Sequence, residues 1–210
     1  PRQVARDLDA RQVFPVELLR RIAGLGFCGL NTPEEFGGGG DNLLGSVIAI
    51  EEIAALAPAL ASAFASAVLR SGRVITQLGS VDQKKKYLPS IAEGNTLFTY
   101  ALNEPGERIA ATPFQAGFRL SGESKFVALG DQANHILVFA YHSERATCFM
   151  VETQAQGLRA KRIPRVGFRG IHLCQLFFSD VRVAATDILG GAAWLNRGEE
   201  QRLLITELQQ

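Results

Sequence analysis

Apolar residues change their spacing near residue 95. Before that point they recur at three- and four-residue steps among alanine-rich runs; after it they come in short alternating bursts broken by glycine. A period near 3.6 marks helices and a period of 2 marks half-buried strands, so the chain reads as a helical unit followed by a sheet. From Gln12 to Gly26, Val16, Leu19 and Ile22 stand at three-residue steps, with Arg20 and Arg21 between them. Pro15 suits the first turn of that helix, and Gly24 and Gly26 suit its end. Asn31 to Gly40 is a loop, because Pro33 disfavours helix before it and four glycines leave the backbone free. Two packed helices are expected at 42–56 and 59–78, interrupted by Pro58 and Gly72, with Glu51 and Glu52 on a solvated edge of the first. Ser80 is the expected N-cap of a further helix, broken by Pro89 before a short turn from Ser90 to Glu93 that ends at Gly94.

Beyond Gly94 the expected strands are Thr96 to Leu102, Gly117 to Gly122, Lys125 to Leu129, His135 to His142, Ala146 to Glu152, Gly157 to Arg162, Leu173 to Phe178 and Val181 to Val183. The fourth and fifth form an antiparallel pair across the polar turn Ser143-Glu144-Arg145. About seven closely spaced strands suggest a small antiparallel barrel or sandwich. Asn196 to Gln210 resumes helical polarity and is expected to stop inside a helix. The fold class is therefore α+β: an N-terminal all-helical domain (1–95), an antiparallel β-barrel or sandwich domain (96–192) and the beginning of a truncated C-terminal helical domain (193–210).

Composition narrows the functional classes. Lys and Arg number 22 and Asp and Glu 21, a net charge of +1 with Lys84-Lys85-Lys86 as the only basic cluster, so no nucleic-acid footprint is present. No run of the ~18 apolar residues of a membrane span exists, and the charged N-terminal stretch is unlike a signal peptide, so a cytoplasmic protein is expected. Cys28, Cys148 and Cys174 are widely spaced among apolar neighbours and read as buried free thiols. His135, His142 and His172 lack a HExxH spacing, and no metal site is expected. The glycine run at 37–40 is not followed by Lys-Ser/Thr, so it is not read as a phosphate-binding loop.

Five ordered patterns resemble the acyl-CoA dehydrogenase family. They are Leu25-Gly26-Phe27-Cys28-Gly29-Leu30 followed by Pro33-Glu34-Glu35-Phe36-Gly37-Gly38; Gly79 and Gln83-Lys84 through Tyr87-Leu88-Pro89 with Gly94; Tyr100 to Gly106; Phe149-Met150-Val151-Glu152 with Gly157-Leu158; and Phe177-Phe178-Ser179-Asp180-Val181-Arg182-Val183 with Ile188-Leu189-Gly190. The resemblance runs from about residue 12 to 205. It implies an FAD flavoprotein of fatty-acid metabolism in which a glutamate removes the C2 proton of an acyl-CoA thioester and flavin accepts hydride from C3, giving a 2-enoyl-CoA. It further implies an electron-transfer flavoprotein as electron acceptor and assembly as a dimer or tetramer, possibly a hetero-oligomer. The family's base lies in its C-terminal helical domain, so no catalytic residue is assigned.

By the same resemblance, Tyr100, Leu102 and Asn103 form one flavin-contacting segment and Phe126 and Ala128 the second. Ile109 and Ala110 stand where a flavin- or acyl-CoA-contacting hydroxyl is usual and are the candidate substrate contacts. Asn103 replaces threonine, Arg108-Ile109-Ala110 replaces Gly-Ser-Asp, Phe126 replaces tryptophan and Ala128 replaces threonine. Asn103 can still donate through its amide and Phe126 can still stack, but Ala128 cannot hydrogen-bond; losing such bonds at about 1 kcal/mol each weakens a cofactor site, on the order of a hundredfold for three. The alternative is therefore a non-catalytic or flavin-poor structural subunit of a hetero-oligomeric acyl-CoA dehydrogenase.

Overall fold

The computed structural model describes residues 2–40, 42–102, 108–143 and 145–196. The helical unit opens with α1 (Arg2–Ala10) and α2 (Val16–Gly24), the latter starting one residue after Pro15. Two single-turn 3₁₀ segments, Phe27–Gly29 and Glu34–Phe36, lie within and flank the glycine loop. Gly38 has no room for a side chain there, since an added Cβ would stand 2.0 Å from the Thr32 carbonyl oxygen. Helix α3 (Leu43–Leu56) is capped by Asn42, whose side chain accepts from the Gly45 N–H at 2.8 Å. Glu51 and Glu52 are exposed on it.

The helix expected at 59–78 begins at Pro58, whose missing N–H costs nothing in a first turn. It is built as α4 (Pro58–Ala65), a π-helical segment Ser66–Gly72 and α5 (Arg73–Leu78). Helix α6 (Val81–Ala92) starts with a reciprocal capping box between Ser80 and Gln83. It runs straight through Pro89, against the expected break. The carbonyl that Pro89 cannot satisfy belongs to Lys85, which is exposed and open to water, and buried Tyr87, Leu88 and Ile91 hold both halves against the sheet.

Seven strands follow: β1 (Phe98–Ala101), β2 (Ala110–Phe114), β3 (Gly117–Ala128), β4 (His135–His142), β5 (Arg145–Glu152), β6 (Leu158–Ile163) and β7 (Leu173–Ala184). The sheet order is β1-β4-β2-β3-β7-β6, with β5 paired to β4. The sheet is mixed, which corrects the expected all-antiparallel pattern: β1 and β2 run parallel to β4, one after the other along one of its edges. The expected strands 117–122 and 125–129 are the single strand β3, with register irregularities against β7 between Leu120 and Gly122 and between Ser124 and Val127. The expected strands 173–178 and 181–183 likewise merge into β7. Strand β2 was not anticipated because it contains Pro113; that residue pairs only toward β3, beyond the single β2–β4 pair at Ala110 and Tyr141. The helix expected from Asn196 to Gln210 lies, past its first residue, outside the described residues.

Strand β4 is buried on both faces, which explains its unbroken apolar run. Ile136, Val138 and Ala140 enter the barrel core with Leu120, Phe149 and Phe178. Leu137 and Phe139 face the other way, packing with Cys148 and Met150 against Val74, Ile75, Tyr87, Leu88 and Ile91 of the helices. A third cluster joins Leu19, Ala23 and Phe64 to Leu97, Leu129 and Ile171. Gln83 fastens the same junction: its amide nitrogen donates to Thr186 O (2.9 Å) and Ile188 O (2.7 Å), and its oxygen accepts from Gly190 N–H (2.9 Å).

Candidate functional site

Alternation along β1 turns Phe98, Tyr100 and Leu102 toward the helices and Thr99 and Ala101 toward the barrel. The π-helical segment lies against this strand, with Ser66 Oγ donating to Phe98 O at 3.3 Å and the Arg70 guanidinium carbon 5.1 Å from the centre of the Tyr100 ring. Tyr100 and Leu102 are half-buried.

The C-terminal half of β3 crosses β1 and is tied to it by side chains. Ser124 Oγ donates to Leu102 O at 3.1 Å, and Thr99 Oγ1 donates to Ala128 O at 2.5 Å. Between these two ties the bulged register turns Val127 into the barrel core and leaves Phe126 58% exposed at φ 57°. A bulky residue in the left-handed region is strained by roughly 1–3 kcal/mol and persists only where its flanks are fixed. Bulges re-aim side chains, and this one presents a flat aromatic face outward.

The structure thus ties the segment that carries Tyr100 and Leu102 to the one that carries Phe126 and Ala128. Asn103 lies outside the described residues. Ala110 is exposed on β2, whereas Ile109 is fully buried in the barrel core with its carbonyl accepting from Tyr141 N–H at 2.8 Å. The expectation that Ile109 contacts substrate is therefore corrected: an apolar side chain beside the barrel closes inward. Gly122 permits this packing, since a Cβ there would stand 2.6 Å from the Arg108 carbonyl oxygen, and its φ is 139°.

Sequence reading missed three residues of this crossing. Thr99 lies between aromatic neighbours and Ser124 between Glu123 and Lys125, and only their long-range bonds reveal them. Arg70 carried a signal, being the sole charge between Ala59 and Gly72.

Titratable groups elsewhere are accounted for by structure. The three thiols are free and buried; burial pushes Cys28 up to about 11, Cys174 up to about 12 with Asp131 adding to the effect, and Cys148 further still. Burial would raise the Asp131 carboxyl, but Arg162 Nε at 2.6 Å and His172 Nδ1 at 2.8 Å hold it below its ordinary value. Burial pushes His135 below its ordinary value, where it stacks on Phe98 at 4.8 Å and meets Tyr87 edge-on at 5.2 Å. Among the described residues no group of three or more His, Cys, Asp or Glu side chains could hold a metal, and no helix is long and apolar enough to cross a membrane.

A helical unit packed on a curled mixed sheet is the fold of solved acyl-CoA dehydrogenase structures. The structure of the glutaryl-coenzyme A dehydrogenase glutaryl-CoA complex matches it with a TM-score of 0.89 and 26% identity, covering 98% of this chain and 55% of that one. The chain belongs to the acyl-CoA dehydrogenase family: residues 2–95 match the acyl-CoA dehydrogenase N-terminal domain and residues 98–181 the middle domain. Acryloyl-CoA reductase (NADH) of Anaerotignum propionicum is 31% identical over 202 residues, which are 89% of this chain and 51% of that protein. The acyl-CoA dehydrogenase FadE12 of Mycobacterium tuberculosis is 33% identical over 187 residues, 83% of this chain and 48% of that protein. The chain spans about half the length of the curated relatives it matches.

Proposed function

We propose that the β1–β3 crossing binds the isoalloxazine ring of FAD and that the protein interconverts an acyl-CoA thioester and its 2-enoyl-CoA. The observation that carries this reading is Phe126, a large aromatic held outward in a strained backbone conformation between two fixed flanks. An exposed apolar face of that rigidity suits a flat ring. When bound, flavin would supply a two-electron acceptor for hydride. The chain's own residues would do the rest of the positioning. Phe126 would stack on the ring, Tyr100 and Leu102 would wall one side, and Asn103 would supply an amide to the polar edge. Ala128 would add shape only, because its carbonyl is already taken by Thr99. Exposed Ala110 would border the acyl-CoA.

The direction of reaction is open to both senses, since one relative is named a dehydrogenase and another a reductase. In this reading the protein is cytoplasmic, works as a dimer or tetramer and, when oxidising, passes electrons to an electron-transfer flavoprotein. The test is a fluorescence titration with FAD. The unmodified protein should quench flavin emission on binding, and Phe126→Ala should weaken binding about tenfold, as loss of an aromatic stack does. Equal affinity of the two proteins would overturn the placement of the ring at Phe126.

A further inference from the structure

Arg70 sits where the alanine-rich helix is least regular. The segment Ser66–Gly72 is π-helical between two α-helical stretches, a rare geometry that recurs at functional sites. From Ala59 to Gly72 every other residue is uncharged. The guanidinium is exposed, lies 5.1 Å from the Tyr100 ring centre, and makes no hydrogen bond or ion pair with a described residue. Next to it, the Ser71 hydroxyl is fully buried and has no hydrogen-bond partner among the described residues.

A cation over an aromatic ring engages that ring through its charge and leaves its N–H donors available. Five donors in a planar fork match a carboxylate in two-point fashion, which a neutral acyl tail cannot exploit. An arginine beside Tyr100 with no counter-ion among the described residues also disfavours a purely apolar ligand, whose entry would desolvate the charge. These observations concern the same wall of the crossing that Tyr100 forms.

We propose that Arg70 is a specificity-determining residue that recognises a carboxylate on the acyl portion of the thioester substrate; this rests on the acyl-CoA reading above. The substrate class is then an ω-carboxyacyl thioester, with the guanidinium over Tyr100 holding the distal carboxylate.

Binding of glutaryl-CoA and pentanoyl-CoA, which share chain length and CoA phosphates, should be compared by calorimetry on the full protein loaded with FAD. The unmodified protein should bind glutaryl-CoA at least tenfold more tightly. Arg70→Leu should lose at least tenfold more affinity for glutaryl-CoA than for pentanoyl-CoA, and Arg70→Lys, which keeps the charge but not the fork, should fall between. Circular dichroism of each variant establishes that it is folded. If pentanoyl-CoA binds and glutaryl-CoA binds no tighter, the role of Arg70 is wrong while the acyl-CoA reading stands. Equal losses for both thioesters in Arg70→Leu would place the contact on the CoA phosphates and likewise overturn it. If neither thioester binds the unmodified protein, the acyl-CoA reading fails with it.

Discussion

Gln83 completes four hydrogen bonds through one buried amide, to Ser80 N–H, Thr186 O, Ile188 O and Gly190 N–H. Gln83→Leu leaves two carbonyls and two backbone N–H groups without that partner, so a loss of about 2–4 kcal/mol is expected in urea unfolding. Gln83→Glu should cost at least as much, because a carboxylate would face the two carbonyls. His135 makes stability pH-dependent in a defined direction. Burial lowers its folded value below the ordinary 6.5, so the unfolded chain takes up a proton first as pH falls. Its contribution is fully present above about pH 6.5 and is lost as the pH drops from there toward the folded value. His135→Phe keeps the stacking with Phe98 and Tyr87 and should flatten the stability profile between pH 7 and 5. The family resemblance singled out Phe126 by position, but it could not show the left-handed backbone there or that Ile109 turns inward. Both depend on how β3 and β7 slip in register, a long-range property.

Proline and glycine misled the reading of elements, each for a physical reason. Pro89 looked like a helix end because it lacks an N–H and crowds the preceding turn. Packing of Tyr87, Leu88 and Ile91 outweighs that penalty. Pro89→Ala restores the donor toward Lys85 O, and should raise the thermal midpoint with a gain of about 1 kcal/mol or more; a fall would show that the proline's stiffening of the unfolded chain dominates. In β3, Gly122 and the polar residues after it looked like a gap between two strands. Pairing with β7 carries the strand across. The capping signal at Ser80, by contrast, was legible, because a cap and its reciprocal partner lie three residues apart.

At the scale of the molecule, the passage from helical to alternating spacing near residue 95 was readable because each period records which faces are buried. The parallel pairing of β1 and β2 with β4 was not, since strand direction is decided by partners 31–37 residues away. The consequence for function is that the two expected flavin segments converge through Thr99 and Ser124, which no local pattern singles out. In the proposed site Ala128 offers no side-chain hydrogen bond, so shape and stacking would carry more of the affinity. Equilibrium titration of the unmodified protein with FAD, followed through the visible flavin spectrum, tests this most directly. The account predicts saturation at one flavin per chain with a perturbed absorption band. A protein that stays colourless after exposure to excess FAD and gel filtration would contradict it.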